Sequence, residues 1–396
     1  MTPVPPVAVT GLGCRCAAGA SLPACLRQLF SGGRHPRPPS RFTTTHPVQY
    51  PVFEVEDALA GGDAGLSRTC HLALAVTQEA LQDAGLRTDE LRGKRVGVCL
   101  GTTVGCTFNS EAFYRDFRAG GHPDSRPVQR FLQSNPAAAV AREFAFTGPC
   151  QTLVNACSSG TDAIGVAADW LRAGVCDLAI AGGADELSRV TYNGFISLLI
   201  SDSAPCRPFD RDRQGLNLGE GAAVLVLESA AHAKARGKLC RAMVLGYGLA
   251  CDAYHLTAPR PDGAGLKRAL SEALASSAAT AGEIAFVNAH GTATPDNDRV
   301  ESRVLAELLP GVPFLSTKGY TGHTLGAAGA IEAAFTVACL EAARIPASAG
   351  FANPDPALPA APVDRVTNVA GRALAISQSL AFGGNNSVLV LTRNCP

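Results

Sequence analysis

The chain carries the same order of buried strands and helical segments twice, and this internal repeat limits the possible folds more than any other feature. Residues 96–103 and 284–294 are each an apolar run that ends in glycine and threonine, and the runs 223–227 and 387–391 each follow a glycine-rich turn. Runs without polar alternation are typical of strands covered on both faces, and their alternation with helices favours a mostly parallel or mixed sheet. We therefore predict a duplicated α/β unit whose two halves pack into one body.

The halves are predicted to join near residues 229–240, which divides the chain into domains 1–240 and 241–396. At 396 residues the chain is longer than one typical domain. Hydrophobic residues make up 46% of it and charged residues 17%, a balance that favours a large covered core over disorder. Ligand sites in such folds form at the ends of strands, so we expect the functional residues where the halves meet.

Charge and hydropathy argue against two classes of partner. The formal net charge is zero and there is no block of basic residues, so nucleic acid is not expected to bind. No stretch approaches the ~18 apolar residues of a membrane span, and the N-terminus lacks the pattern of a signal peptide. We therefore expect no membrane association and a cytoplasmic location.

The fourteen cysteines are scattered, and only Cys14 and Cys16 lie close together in the sequence. No C-x-x-C or Cys/His knuckle spacing is present, so we expect reduced thiols and neither a zinc site nor a disulfide framework.

Cys157 is the cysteine whose position in the sequence suggests a reactive thiol. A short apolar run ends at Ala156 and Cys157, small polar residues follow, and a helical pattern begins at about Ile164. We predict a strand, a tight turn and a buried helix, with the thiol at the turn. Unpaired backbone N–H groups and the positive end of the helix dipole would face the sulfur, lower its pKa and make it a better nucleophile. From this turn alone, an inert buried cysteine is the alternative.

Two later stretches supply residue types that such a thiol would need. His290 follows a buried strand and has hydroxyl side chains close by, whereas Lys318 and His323 stand in a glycine-rich loop before a helix. A single histidine after a strand is more often a structural group. Both histidines, however, fall at turns equivalent to the cysteine turn in the repeat, and this predicts a shared cleft.

Four motifs, in this order, resemble those of the β-ketoacyl–acyl-carrier-protein synthases: Asn155-Ala156-Cys157-Ser158-Ser159-Gly160, Asn288-Ala289-His290-Gly291-Thr292, Thr317-Lys318 with Gly322-His323, and Phe382-Gly383-Gly384-Asn385-Asn386. The resemblance covers nearly the whole chain and is to the elongating type, synthase II-like or type II polyketide ketosynthase. It implies the α/β thiolase fold, with two βαβαβαββ halves layered α-β-α-β-α. It also implies an acyltransferase that condenses a cysteine-bound acyl chain with malonyl-carrier protein, in fatty-acid or type II polyketide or polyene elongation.

The resemblance implies roles for five residues. Cys157 would take the acyl group, and the backbone N–H groups of Cys157 and Phe382 would hold the oxyanion. His290 and His323 would donate hydrogen bonds to the enolate that decarboxylation leaves. Lys318 would orient the second histidine, and Phe382 would gate the cysteine.

Further residues match supporting positions of the family. Thr292 and Thr294 would contact the phosphopantetheine arm of the carrier protein, and Val104 would set the depth of the acyl pocket. Asp298 and Glu301 would be the acidic partners of Lys318, although a solvated helix face is the simpler interpretation of that pair alone.

No metal site is predicted, with one open point. Asn288 and Glu332 match residues around a monovalent cation in some members, but Gln378 stands where those members have asparagine. No covalently bound cofactor is expected, since the substrate would arrive on the phosphopantetheine of an acyl carrier protein.

The resemblance also implies protein partners. Arg68, Arg126, Arg130 and Arg207 are the basic residues that would dock the acidic carrier protein. A dimer is expected, either of two copies or with a related ketosynthase or chain-length factor.

Three alternatives stay open at this point. A non-catalytic chain-length factor shares the fold but lacks the nucleophile, which this chain retains as Cys157. A thiolase or initiating synthase would pair its cysteine with His-Cys or His-Asn and not with two histidines. A redox or metal protein is disfavoured by the cysteine spacing.

Overall fold

The computed structural model describes residues 4–56, 65–105 and 110–395. Its strands run Val7–Cys16 (β1), Val96–Gly101 (β2), Cys150–Leu153 (β3), Leu178–Asp185 (β4), Gly221–Ser229 (β5), Ala242–Cys251 (β6), Ile284–Asn288 (β7), Phe314–Leu315 (β8), Arg344–Ile345 (β9), Thr367–Asn368 (β10), Leu374–Ala381 (β11) and Asn385–Thr392 (β12). Its α-helices run Leu22–Ser31 (α1), Arg68–Ala84 (α2), Glu111–Arg118 (α3), Arg126–Gln133 (α4), Pro136–Glu143 (α5), Ser159–Arg172 (α6), Arg189–Ser197 (α7), Ala230–Ala235 (α8), Ala264–Ser277 (α9), Pro295–Leu308 (α10), Lys318–Thr321 (α11) and Ala328–Ala342 (α12).

The main sheet repeats one strand order in its two halves. The first half reads β3-β2-β4-β5-β1, and the second half, read from its outer edge, is β8-β7-β11-β12-β6. In each half three strands are parallel and the last two are antiparallel, and a short antiparallel pairing of β1 with β6 joins the halves. The predicted duplicated, mixed α/β architecture is confirmed. The division after residue 240 stays a prediction.

Helices cover both faces of each half, which gives the expected α-β-α-β-α layering. Helices α2 and α5 pack on the outer face of the first half, and α9, with α10 beside it, packs on that of the second. Helix α2 shows how the sequence specifies this. The Ser67 side chain caps its N-terminus by accepting from the N–H of Cys70, Gly85 ends it in a left-handed conformation, and its apolar stripe, which includes Leu72 and Val76, is buried against the sheet.

Helices α6 and α12 form the middle layer and touch along a seam of small residues. A Cβ atom added to Gly160 would lie 2.8 Å from the Gly326 carbonyl oxygen, and one added to Gly329 would lie 1.9 Å from Thr161 Oγ1. Only glycine allows backbones to approach this closely. The seam therefore brings the N-terminal ends of the two helices together.

The middle layer corrects one sequence prediction. The helical run Leu325–Ala342 has 18 residues and a mean hydropathy of 1.4, so by length and composition it could span a membrane, contrary to our expectation. It is this apolar because it lies between the two halves of the main sheet, and 89% of the run is buried inside the protein. A buried core helix meets the same criterion as a membrane span.

Two other predictions were also wrong. Cys240 and Cys395 form a disulfide, although all thiols were expected to be reduced. They flank β6 and β12, which are paired antiparallel, so residues 155 apart in sequence become neighbours. The glycine, proline and arginine residues of 118–130 predict a loop, whereas the chain is helical there from Arg126, with Pro127 in the first turn, where proline is tolerated.

Candidate active site

Cys157 lies on an elbow between β3 and α6. Ala156, with a φ of 49°, takes the left-handed conformation, and its carbonyl oxygen accepts hydrogen bonds from the hydroxyls of Thr103 at 2.9 Å and Ser159 at 2.6 Å. These bonds hold the turn and present the thiol just before the helix. The cysteine is 3% exposed and opens onto a cavity of about 260 Å³.

The cavity is lined from both halves of the chain. Its lining residues are Cys157, Phe195, Leu199, Ile200, Leu216, Asp252, Thr257, Ala258, Pro259, His290, Thr292, Thr294, Pro295, Asp296, Asn297, His323, Leu380, Ala381, Phe382 and Asn386.

His323 is the closest polar neighbour of the thiol. Its Nε2 lies 3.0 Å from Cys157 Sγ, and its ring packs edge to face against that of His290 with centroids 5.2 Å apart. The ligand atoms of these three side chains lie within 4.8 Å of one another, a spacing that a metal ion could also occupy. The structure thus brings together the three side chains that the sequence placed at equivalent turns.

The thiol in this site differs from the prediction in one respect. Burial raises the pKa of Cys157 to about 11, while the charge of Lys318 and the backbone N–H of Phe382 act in the opposite direction. The expected lowering of the pKa was therefore wrong for the free site. The cost of burying a thiolate outweighs the stabilisation from the Lys318 charge and the Phe382 N–H.

Lys318 determines which nitrogen of His290 carries the proton. Its ammonium donates to the His290 carbonyl oxygen at 2.6 Å, lies 3.1 Å from His290 Nδ1 and forms a buried ion pair with Glu332. An ammonium group can only donate, so Nδ1 accepts and the proton of neutral His290 is on Nε2. Burial, with the nearby charge of Lys318, lowers the pKa of both His290 and His323 well below its usual value, so both rings are neutral at pH 7.

The two acidic residues expected to contact Lys318, Asp298 and Glu301 of α10, accept hydrogen bonds from backbone N–H groups and do not contact Lys318 directly. Glu301 accepts from the N–H groups of His290 and Gly291, and Asp298 accepts from the N–H of Phe209. Both carboxylates are fully buried, so the solvated helix face was the wrong interpretation of this pair. Burial raises the pKa of Asp298 to about 7 and also raises that of Glu301. The acidic partner of Lys318 in the structure is Glu332.

Phe382 covers the cavity from the loop after β11. Its ring stacks on Phe195 with centroids 5.6 Å apart, and its N–H points at the sulfur of Cys157. Gly383 and Gly384 follow with φ near 82° and 81°, conformations that favour glycine, so the loop depends on both.

The remaining pocket residues divide into two groups. Thr292 and Thr294 line the cavity, and their hydroxyls lie 2.8 Å apart. Val104 lies outside the lining of this cavity and packs at the edge of an apolar cluster that includes Leu325. Leu325, a member of that cluster, follows His323 by two residues in the chain.

The four arginines expected to dock a carrier protein are in different environments. Arg68 makes a bidentate ion pair with buried Glu220 and is largely buried itself. Arg126 is 81% exposed, next to Asp124, and Arg130 is also exposed. Arg207 is half-buried, and its Nε has no hydrogen-bond partner among the described residues.

Four buried oxygen atoms near the middle layer also lack partners within the described part of the chain. They are Asn288 Oδ1, Glu332 Oε2, Ser377 Oγ and Gln378 Oε1. Asn288 is opposite Ser377 in the sheet, and its amide nitrogen donates to the Glu332 carbonyl oxygen at 3.1 Å. Oxygen ligands of this kind suit a hard cation.

Sequence reasoning missed two carboxylates and one aromatic ring at this site. Buried Asp185 accepts from Thr102 Oγ1 and from the N–H groups of Thr103, Gly105 and Gly326, which ties the two halves together. Asp252 binds Asn386 in the cavity wall, and Phe195 stacks on the gate. The position of Asp185 at the end of a buried strand was the one sequence signal for any of these.

Comparison with known proteins agrees with this geometry. Residues 5–233 match the family described as "Beta-ketoacyl synthase, N-terminal domain", and residues 241–352 match "Beta-ketoacyl synthase, C-terminal domain". The chain is 32% identical to 3-oxoacyl-[acyl-carrier-protein] synthase 2 of Synechocystis sp., covering 98% of both proteins. It is also 32% identical to the tetracenomycin polyketide synthase ketoacyl synthase alpha subunit of Streptomyces glaucescens, covering 98% of this chain and 97% of that protein.

A solved structure shares the fold over its whole length. The ishigamide ketosynthase/chain length factor superposes with a TM-score of 0.93 at 32% identity, covering 98% of this chain and 99% of that one. The Cys157 elbow, the two facing histidines and the duplicated sheet all agree with these relatives: the chain belongs to the β-ketoacyl synthase family, and it is an acyltransferase of the ketosynthase type.

Proposed function

We propose that this ketosynthase elongates acyl chains by decarboxylative Claisen condensation, with Cys157 as nucleophile and His290 and His323 as hydrogen-bond donors to the enolate. The observation that carries the proposal is the 3.0 Å approach of His323 Nε2 to Cys157 Sγ, with His290 packed against the same ring. A chain-length factor would need no such nucleophile.

In the first half-reaction, the sulfur of Cys157 attacks the carbonyl carbon of an acyl thioester. His323 Nε2 lies close enough to accept the thiol proton. Because the proton is removed as the C–S bond forms, no isolated buried thiolate is needed. The N–H of Phe382, with that of Cys157 itself, would stabilise the oxyanion. Collapse of the tetrahedral intermediate expels the carrier sulfur, which takes the proton from His323 and leaves as a thiol, while the acyl group stays on Cys157.

In the second half-reaction, a malonyl thioester binds and loses carbon dioxide. The electron pair of the broken C–C bond forms an enolate, whose oxygen needs donors. Lys318 supports this step by holding His290 with its Nε2–H available, and the low pKa of both rings keeps them neutral hydrogen-bond donors. The carbanion then attacks the acyl carbonyl and releases the sulfur of Cys157.

The substrates would reach Cys157 on a phosphopantetheine arm, and no free cofactor takes part. Thr292 and Thr294 line the cavity with hydroxyls suited to the amides of such an arm. The name of the Synechocystis relative specifies an acyl carrier protein as its substrate carrier. Val104, in the apolar cluster behind His323, would limit how far the acyl chain extends.

The carrier protein would dock on exposed arginines. Arg126 and Arg130 are accessible, whereas Arg68 is committed to Glu220, so we assign docking to Arg126, Arg130 and Arg207 and a structural role to Arg68. Charge reversal of Arg126 together with Arg207 should weaken carrier binding at low salt, while Arg37→Glu serves as a matched surface control. Unchanged affinity of the double variant would reject this assignment.

We also propose that the protein works as a dimer through the β3 edge. β3 ends the sheet, so one side of it can accept another strand, and Val154 beside it is 68% exposed. Exposed Tyr114, Phe117 and Leu132 supply further apolar surface on helices α3 and α4. The partner is a second copy or a related subunit such as a chain-length factor, and native mass spectrometry of the co-expressed proteins distinguishes the two.

The four buried oxygens without partners support a monovalent cation. The negative charge of Glu332 is already paired with Lys318. The site can therefore balance the single charge of a monovalent ion better than the double charge of a divalent one. Asn288, Glu332, Ser377 and Gln378 would hold the ion, whose contribution would be to order the strand ends beside His290. Potassium-dependent thermal stabilisation that is lost in Ser377→Ala would support the site, and no ion dependence would reject it. A cytoplasmic location stays a prediction.

Mass spectrometry of the intact protein after incubation with acyl-carrier-protein thioesters tests the main proposal. We expect one acyl adduct on Cys157, and condensation once malonyl-carrier protein is added. Cys99→Ala, a variant of another buried thiol, should behave like the natural protein. A folded protein without any adduct would identify a non-catalytic partner subunit.

A further inference from the structure

Three thiols converge at a second place in the first half of the chain, away from Cys157. Cys14 and Cys16 are on the last part of β1, and Cys25 is on the first turns of α1, which packs against that strand. The three sulfur atoms all lie within 4.8 Å of one another, and Cys16 Sγ is 3.7 Å from Cys25 Sγ. All three side chains are at most 2% exposed. The sequence showed only two of them as neighbours.

The spacing of these sulfurs matches a three-coordinate thiolate site. Three ligands at about 2.3 Å from one ion lie roughly 4 Å apart, close to the separations that the structure already has. Thiolates prefer soft, thiophilic ions over hard ones. Binding would therefore need small side-chain adjustments and no change of the backbone.

The surroundings decide which charge the bound ion should have. The backbone N–H of Cys14 is already bonded to the Glu79 carboxylate at 3.0 Å, and the nearby Leu12 N–H is bonded to Asp83 at 2.8 Å. Arg15 acts on Glu79 but donates to the Ala20 carbonyl oxygen, and Arg241 forms an ion pair with Asp83, so both carboxylates already have a cation near them. Three thiolates around a monovalent or divalent ion would leave net negative charge among these carboxylates, and buried net charge is costly.

We propose that Cys14, Cys16 and Cys25 form a binding site for a trivalent thiophilic ion of the arsenite class. One molecule of As(OH)₃ reacts with the three thiols to give a neutral As(S-Cys)₃ unit and three molecules of water. Three As–O bonds and three S–H bonds break, three As–S bonds and three O–H bonds of water form, and neither arsenic nor sulfur changes oxidation state. The reaction needs no oxidant, reductant or buried counter-ion.

A short turn gives the ion its route to the sulfurs. Residues 17–21 connect β1 to α1 at the protein surface, and the turn is closed by hydrogen bonds between Cys16 and Gly19 at 3.1 and 3.0 Å. The thiol of Cys25 donates to the carbonyl oxygen of the same Gly19 at 3.3 Å. Opening this one turn exposes the thiols without separating the sheets.

Arsenite binding to the full-length, phosphine-reduced protein tests the inference. We expect native mass spectrometry to show one arsenic atom bound with loss of three protons, and X-ray absorption to show three sulfur ligands. Cys14→Ala, Cys16→Ala and Cys25→Ala should each weaken binding by about 100-fold or more, since loss of an outer-shell partner alone costs up to that much. Cys176→Ala, which removes a buried thiol elsewhere, should bind normally.

The absorption measurement on the natural protein keeps the test valid if a variant fails to fold. Two or fewer sulfur ligands, retention of arsenic in all three variants, or its loss in Cys157→Ala would overturn the proposal. Tighter binding of Cu(I) or Zn(II) than of arsenite would also overturn it, because the argument from charge would then be wrong.

Discussion

The two halves of the molecule contain the same turn at the same point of the fold, but the turns carry different reactive side chains. After β3 and before α6 the first half presents Cys157, and after β8 and before α12 the second half presents His323. The two side chains meet at 3.0 Å. The repeat therefore provides two equivalent helix N-termini. One carries the nucleophile Cys157, and the other carries His323, which can accept its proton.

The loops beside these turns show a second difference between the halves. The loop after β2 is held by Asp185, and the loop after β7 is held by Glu301, each a buried carboxylate that accepts backbone N–H groups. Only the second loop carries an imidazole, His290, and only there does a lysine fix its tautomer. The first half thus provides the nucleophile and a structural loop, and the second half provides the hydrogen-bond donors.

Removing the nucleophile should separate the roles of the halves most sharply. Cys157→Ala should lower the condensation rate by about 10⁴-fold or more, since members of a catalytic unit act together. Decarboxylation of malonyl-carrier protein, which uses the second half, should persist. Release of carbon dioxide and formation of elongated product measure the two steps. Loss of both in a variant with native thermal stability would contradict the separation.

Removing the donor of the second loop should have the opposite pattern. His290→Ala should slow decarboxylation by about 10²- to 10³-fold, the usual cost of one oxyanion donor, and leave acylation of Cys157 largely intact. Single-turnover acylation and carbon dioxide release check this. His255→Ala, at an exposed position, is the control. Equal losses in both steps would mean that His290 acts on the thiol as well.

The two loop carboxylates offer a matched comparison. Asp185→Asn and Glu301→Gln should each cost about 1–3 kcal/mol of unfolding free energy, because each leaves buried N–H groups facing an amide. Glu301→Gln should also lower the rate of decarboxylation, since it positions His290, whereas Asp185→Asn should not. Urea unfolding and carbon dioxide release give the two readouts. Equal kinetic losses would show that both loops serve the same step.

The pH dependence of thiol reactivity tests how the first half holds Cys157 before any substrate binds. With its pKa raised to about 11, Cys157 in the free protein should react with iodoacetamide about tenfold faster per unit rise in pH from 7 to 10. Lys318→Met should slow the reaction at each pH, because loss of the positive charge raises the pKa further. Peptide mass spectrometry resolves Cys157 from exposed Cys150. A rate that levels off below pH 8 would contradict the raised pKa.

The sequence predicted what depends on local pattern. The apolar runs located β2, β5 and β12 to within about two residues and fixed the start of β7, and the position of Cys157, His290 and His323 predicted that they meet. The resemblance supplied the order of layers. These features follow from strand burial and chain direction, which a single sequence encodes directly.

The failures at Arg68 and among the cysteines involve contacts between distant segments. The resemblance implies a docking role for Arg68, but its guanidinium forms an ion pair with buried Glu220. Cys240 and Cys395 are brought together because two strands pair, and Cys25 joins Cys14 because a helix folds back over β1. No local pattern records which charged or sulfur-bearing groups become neighbours in this way.

The glycine seam between α6 and α12 has a consequence for how such a site can change. It works as a fixed spacer, because backbone contact at Gly160 and Gly329, and not the lengths of catalytic side chains, sets the gap between sulfur and imidazole. Engineering or divergence can therefore reshape the cavity rim freely and alter which chains are accepted. A single added methyl group at the seam would spread the two helix ends and dismantle the reaction centre for every substrate at once.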